Sequence, residues 1–274
     1  SAGRRESLAR VGFECRGIPM KMIQSMMGAA MIFNVAMGEE EATKKSVLLV
    51  LTNHSELGDT GKKTGFYLSE AAHPYEVLTK AAVAVTLASP EGGAAPVDPK
   101  SFDLSDEANS VFWKKFGNGD SDNPQVPKTL ALSEVKPGEF DGIFFAGGHG
   151  TVWDFPTSED LRAVTSSIWT RGGAVGAVCH GPAALINLKL PDGSLLVKDR
   201  KVAVFTNAEE KAVKLDEVVP YLLQDSFEGM GAEVVVADNF SENAVRDDRL
   251  VTGQNPASAK KAGELFVEAL SVEK

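Results

Sequence analysis

From residue 44 onward, short apolar runs alternate with longer stretches of helical periodicity along the 274-residue chain. The run 46–52 (SVLLVLT) is apolar at both odd and even positions, as in a strand buried on both faces of a parallel sheet. Further strands are predicted at 84–89, 140–146 and 174–178, then at 201–206, 232–237 and around Leu250-Val251. Between the first two, residues 64–82 place Phe66, Ala71, Val77 and Leu78 at helical spacing, with a kink expected at His73-Pro74. Helices are predicted over 103–116, 158–170 (stopped by Arg171-Gly172-Gly173), 182–188, 208–224 and 257–271. The stretches 53–63, 91–99 and 117–127 read as loops. This alternation predicts a flavodoxin-like α/β sandwich, a mostly parallel sheet with helices on both faces. Chemistry in such sheets gathers beyond the carboxyl ends of the strands.

The first 38 residues do not share this pattern. Arg4, Arg5, Arg10, Arg16 and Lys21 outnumber Glu6 and Glu14, and 22–37 is Met-rich and apolar. That run is too short, and too broken by Gln24, Ser25 and Asn34, to span a bilayer. It reads equally as a signal- or transit-like segment and as an amphipathic packing helix. The expected organisation is an N-terminal extension over 1–43 and a catalytic domain over 44–274. A formal net charge of −10 argues against nucleic acid or anionic membrane as a main partner. Two cysteines, Cys15 and Cys179, make neither a disulfide framework nor a cysteine zinc site. A free thiol suits a reducing compartment, so the cytoplasm is expected unless 1–43 directs the chain elsewhere.

The chemistry concentrates at 174–184 (AVGAVCHGPAA), where an apolar strand runs into Cys179 and then into His180-Gly181-Pro182 and a helix-forming segment. Ala177 and Gly181 flank the cysteine at two residues on either side, the spacing of a nucleophile elbow with sulfur in place of oxygen. A helix N-terminus aimed at the sulfur would favour a thiolate. Upstream, a predicted strand ends in Ala146-Gly147-Gly148-His149-Gly150. Such a turn can aim backbone N–H groups at a developing oxyanion, and the N–H groups of Gly148 and His180 form the expected pair. Gly147 and His149 belong to the same substrate-binding turn. Trp153 and Phe155 just beyond it are expected to shape a small pocket, while His54 and His73 read as structural. Four scattered histidines predict no metal site.

Taken together, Thr64-Gly65-Phe66 through Pro74, 146–156 (AGGHGTVWDFP), 177–184 (AVCHGPAA), 205–210 (FTNAEE) and 250–257 (LVTGQNPA) resemble the ThiJ/PfpI superfamily. The branch they look most like holds the glutathione-independent glyoxalase III enzymes and related heat-shock chaperones. The resemblance implies Cys179 as nucleophile, His180 as catalytic histidine and Glu70 as the acid against the sulfur. It implies Glu210 as third triad member, with Glu209 as fallback; taken alone, Glu209 reads as a solvated helix carboxylate. It also implies a cofactor-free reaction on a small 2-oxoaldehyde, with a homodimer as the expected assembly. A redox-sensing chaperone and a PfpI-type cysteine peptidase are the alternative readings of the same residues. A glutaminase is weaker, because no synthetase domain accompanies the chain.

Overall fold

The structure, a computed structural model, describes residues 44–272; the expected 1–43 extension and Cys15 lie outside the described residues. The strands are β1 (Ser46–Val50), β2 (Ala84–Ser89), β3 (Gly93–Pro96), β4 (Gln125–Ala131), β5 (Gly142–Phe145), β6 (Ala174–Val178), β7 (Lys201–Val202), β8 (Glu233–Val234), β9 (Ala244–Asp247) and β10 (Leu250–Gly253). The helices are α1 (Leu68–Lys80), α2 (Glu107–Phe116), α3 (Thr151–Asp154), α4 (Glu159–Thr170), α5 (Asn207–Ala212), α6 (Leu223–Gly229) and α7 (Ala259–Leu270). Eight strands form one sheet in the order β3-β4-β2-β1-β5-β6-β10-β9. Every pairing from β4 to β10 is parallel, and β3 and β9 close the edges antiparallel.

The double-sided apolar pattern of β1 has its expected consequence. Val47 and Leu49 point into a core with Leu78 of α1, Phe112 of α2 and Phe266 of α7. Leu48 and Val50 point the other way, into a second core with Leu161 and Ile168 of α4 and Phe227 of α6. All are essentially inaccessible to water, and each such aliphatic or aromatic side chain contributes about 1.5–3 kcal/mol on burial. The chain runs from β1 to β2 on one side and later reaches β5 on the other. The carboxyl ends of β1, β5 and β6 therefore surround a topological switch point, where a cleft opens.

Several elements differ from the sequence expectation. β4 covers part of the expected 117–127 loop, and its Pro127 and Lys128 mask a strand that has β3 as its outer neighbour. The expected strand 201–206 pairs as a ladder only over Lys201–Val202, with β8 in a separate two-stranded ribbon. Its remainder bonds through single contacts, Ala203 N–H to Thr252 Oγ1 (2.8 Å) and Phe205 N–H to the Cys179 carbonyl (3.1 Å). The expected helix 208–224 is two helices, interrupted by Lys214 at φ 61° and by Pro220. The helix expected at 182–188 is a single 3₁₀ stretch, Gly181–Leu185. Pro74 lies inside α1. Among the described residues no helix is long and apolar enough to cross a membrane.

Candidate active site

β6 delivers the chain to Cys179, whose φ of 60° is unusual for a residue with a side chain. The turn is pinned from both sides. Cys179 N–H donates to the Gly253 carbonyl of β10 (2.8 Å), and the Cys179 carbonyl accepts from Phe205. Two residues on, a Cβ at Gly181 would sit 2.4 Å from the Phe145 carbonyl oxygen, which is why this corner admits only glycine.

A line of hydrogen bonds starts at the sulfur. Cys179 Sγ lies 3.2 Å from His180 Nδ1, and His180 Nε2 lies 2.7 Å from Glu210 Oε2. The other carboxylate oxygen, Oε1, is 2.8 Å from His149 Nε2. Glu210 thus accepts from two imidazoles at once. This fixes the tautomer of His180, with hydrogen on Nε2 and an acceptor Nδ1 facing the thiol. Burial alone would push the Glu210 carboxyl up, but the two histidines outweigh it and hold it far below the usual range. Burial, aided by His149, pulls His180 down despite Glu210, so the imidazole rests neutral.

Glu70 sits in the first turn of α1 and is fully buried. Its neighbour Gly147 is a close-approach glycine: a Cβ there would lie 2.4 Å from Glu70 Oε2. The Cys179 thiol and the Gly147 N–H are the polar groups facing the carboxyl, yet neither oxygen completes a hydrogen bond of ordinary geometry. Burial raises Glu70 well above an ordinary carboxyl, which favours its protonated form. The thiol departs from the sequence expectation. Burial, then the neighbouring Glu70 and Glu209 carboxyls, push Cys179 up, and the His180 N–H only partly offsets this. The one-and-a-half-turn 3₁₀ stretch after it is no substitute for an α-helix dipole. The resting pair is therefore a protonated thiol beside a neutral imidazole base.

The two consecutive glutamates at 209 and 210 do different work. Glu209 forms a capping box with Thr206 at the start of α5. Its Oε2 accepts from Thr206 N–H (3.0 Å) and Oγ1 (2.9 Å). Its Oε1 accepts from Phe240 N–H and Asn255 Nδ2, each at 2.8 Å. It is fully buried, so the expectation of a solvent-facing Glu209 is corrected. With Glu209 locked, the next residue is presented to the histidines.

Sulfur, Gly148 and His149 line a cavity of about 240 Å³, together with Tyr67, Phe205 and Phe240. Of the expected oxyanion pair, the Gly148 N–H meets no acceptor among the described residues, whereas the His180 N–H already faces the sulfur. Trp153 does not line this cavity. Its ring stacks on His54 (centroids 5.0 Å apart, planes 16° apart), and Phe155 is buried against Phe145. His73 pairs with Asp106 at 3.1 Å. Tyr67, like Phe240, is a lining residue that sequence reasoning missed. Burial, with Glu70 and Cys179 nearby, pushes its phenol up and keeps it a hydrogen-bond donor. Its only signal was a place between Thr64-Gly65-Phe66 and the helix carrying Glu70. The spacing in sequence also hid that His149, His180 and Glu210 bring ligand-type atoms within 4.8 Å of one another, a set that could hold a metal ion. As it stands, their N–H groups are committed to the carboxylate.

The chain is 35% identical over 231 residues to Glyoxalase 3 of Candida albicans, covering 81% of this chain and 97% of that protein. It is 32% identical over 234 residues to the glutathione-independent glyoxalase HSP31 of Saccharomyces cerevisiae, covering 82% of this chain and 98% of that one. Among solved structures, the Rapid Encystment Protein 24 KDa of Francisella tularensis superposes with a TM-score of 0.77 at 36% identity, over 83% of this chain and all of its own. Glyoxalase III from Candida albicans superposes with a TM-score of 0.74 at 32% identity, over 82% of this chain and 97% of its own. The sequence model of the DJ-1/PfpI family matches residues 63–269, a span that holds the cysteine elbow, both site histidines and both site glutamates, and the chain belongs to that family.

Proposed function

We propose that this chain is a glutathione-independent glyoxalase that converts methylglyoxal and related 2-oxoaldehydes to 2-hydroxy acids, with residues 44–274 as its catalytic domain. The observation that carries this reading is the continuous line from Cys179 Sγ through His180 and Glu210 to His149, with the buried Glu70 beside the sulfur and both ends of the line, Cys179 and His149, in the cavity wall. Relatives that bear this activity in their names match over nearly their whole length.

The steps balance without a co-reactant other than water. His180 Nδ1 takes the thiol proton as Sγ bonds to the aldehyde carbon, and the resulting oxyanion faces the Gly148 N–H and is protonated to the hemithioacetal. His180, neutral again, then removes the hydrogen on that carbon while Glu70 gives its proton to the adjacent carbonyl oxygen, forming an enediol. The imidazolium returns its proton to the second carbon, Glu70 recovers one from the first hydroxyl, and a thioester of the 2-hydroxy acid remains. Water, deprotonated by His180, cleaves the thioester and frees the thiol. The protein thus supplies the sulfur that glutathione supplies elsewhere. Glu210 orients His180 and offsets its transient positive charge.

The function is tested by product identity. Lactate should accumulate mole for mole with methylglyoxal consumed in buffer free of glutathione; consumption without lactate would mean mere adduct formation. One observation favours a second reading, a peroxide sensor: a protonated carboxyl beside a cysteine sulfur is also the setting that steadies a sulfinic acid. A homodimer remains the proposed assembly, checked by light scattering.

A further inference from the structure

Phe240 is held in a conformation that its side chain does not favour. Its φ is 59°, where Cβ crowds the following carbonyl and where glycine or asparagine is the usual occupant. Buried groups impose it. The Phe240 N–H donates to Glu209 Oε1, and the same oxygen accepts from Asn255 Nδ2. Asn255 also donates to the Ser241 carbonyl at 2.8 Å, fixing the next residue. Glu209 and Asn255 are both fully buried. Yet the ring that this bracing presents is 45% exposed, in the wall of the Cys179 cavity. Strain maintained by buried partners, at a side chain left open to a reactive site, points to use rather than to packing.

The surroundings indicate what the ring receives. Phe205 lies 6.3 Å away (55° between planes), and its other ring neighbours are His180 at 4.4 Å and His149 at 6.1 Å. Leu57, Val213, Leu215 and Pro256 continue an apolar lining. The cavity, about 240 Å³, approaches the roughly 300 Å³ at which sites begin to take much larger ligands. The methyl group of methylglyoxal would leave most of that lining in contact with water. Resting on the glyoxalase reading for the reacting end of the substrate, we infer that Phe240 and Phe205 form a subsite for the apolar substituent beside the second carbonyl. Phe240 is then a specificity-determining residue, and aryl and longer alkyl 2-oxoaldehydes are preferred over methylglyoxal.

The test compares kcat/KM for phenylglyoxal and methylglyoxal in the full chain, in Phe240→Ala and in Phe240→Leu. The phenylglyoxal-to-methylglyoxal preference should fall about tenfold in Phe240→Ala, the scale of a lost apolar contact in a pocket, and largely return in Phe240→Leu. An unchanged ratio overturns the subsite. So does a shift of Phe240→Ala to a smaller species on gel filtration with the ratio intact, which would assign the ring to an interface between copies. A readout without turnover separates this inference from the reaction itself. 1-Phenyl-1,2-propanedione and 2,3-butanedione have no aldehyde hydrogen to shift, and each can compete with iodoacetamide for Cys179. The subsite predicts stronger protection by the phenyl diketone, lost about tenfold in Phe240→Ala. That split in a protein that turns over no 2-oxoaldehyde would keep the subsite and discard the reaction. Normal turnover without the split would do the reverse.

Discussion

Glu210 ties two imidazoles to one carboxylate, and the consequence is an oriented base rather than a charged one. Glu210→Gln keeps the shape but offers one acceptor oxygen to two N–H donors. Its kcat should fall by about 10²-fold or more, the usual share of a positioned general base; a loss under threefold would mean that His180 is oriented by other groups. Glu70 makes the opposite case. Its folded-state pKa lies above the unfolded value of about 4.3. Its favourable contribution is therefore present below that pH and lost as pH rises. Glu70→Gln never ionises, so its melting temperature should exceed wild type at pH 8 by more than at pH 4, while methylglyoxal turnover largely disappears. Stable sulfinate formation at Cys179 in that variant, seen as a mass gain of two oxygens, would show that the amide still serves the sulfur. Full turnover would remove Glu70 from proton transfer. At this scale the gathering of Cys179, His180, Glu70 and Glu210 was legible, because the elbow and the motif segments single out these four positions. The clamp of His149 on Glu210 was not, since 61 residues separate the two and no spacing rule connects them.

At the scale of elements, the capping box that starts α5 presents Glu210 to His180 and His149. Glu209 answers four donors with its two oxygens and is sealed from water. Replacing it with glutamine turns one acceptor into a donor facing other donors. Glu209→Gln should destabilise the fold by about 1–3 kcal/mol, read as a lower urea midpoint at unchanged slope; a midpoint equal to wild type would contradict the structural role. Elements with continuous apolar runs, such as β1, β5 and β6, were readable because burial on both faces leaves a strong pattern. β3, β4 and β9 were not. Edge strands bury less, and β4 carries Pro127, Lys128 and Thr129 through the sheet margin. The 203–206 segment reads as a strand, yet it is spent on bracing Cys179 and Thr252 instead of joining a ladder.

For the whole molecule, alternation of strands and helices was enough to point to the carboxyl ends of the parallel strands, and the strand order then adds the switch point beside β1. What no local pattern could supply was which loops cross that cleft, so Trp153 was expected in the cavity and Tyr67 was not. The buried, neutral His180 also sets how the whole enzyme responds to pH. Because burial lowers its pKa, the acid limb of kcat/KM should have its midpoint below about 6.5, the value of an ordinary histidine. A midpoint above 7 would contradict a neutral resting base. The central claim is that the Cys179 sulfur itself carries the aldehyde. It is tested most directly by lactate production from methylglyoxal in glutathione-free buffer, wild type beside Cys179→Ala. The account predicts steady lactate formation by wild type and none above the buffer rate by Cys179→Ala with its melting transition retained. Lactate formation by the alanine variant at a rate near wild type, or none by wild type, would contradict it.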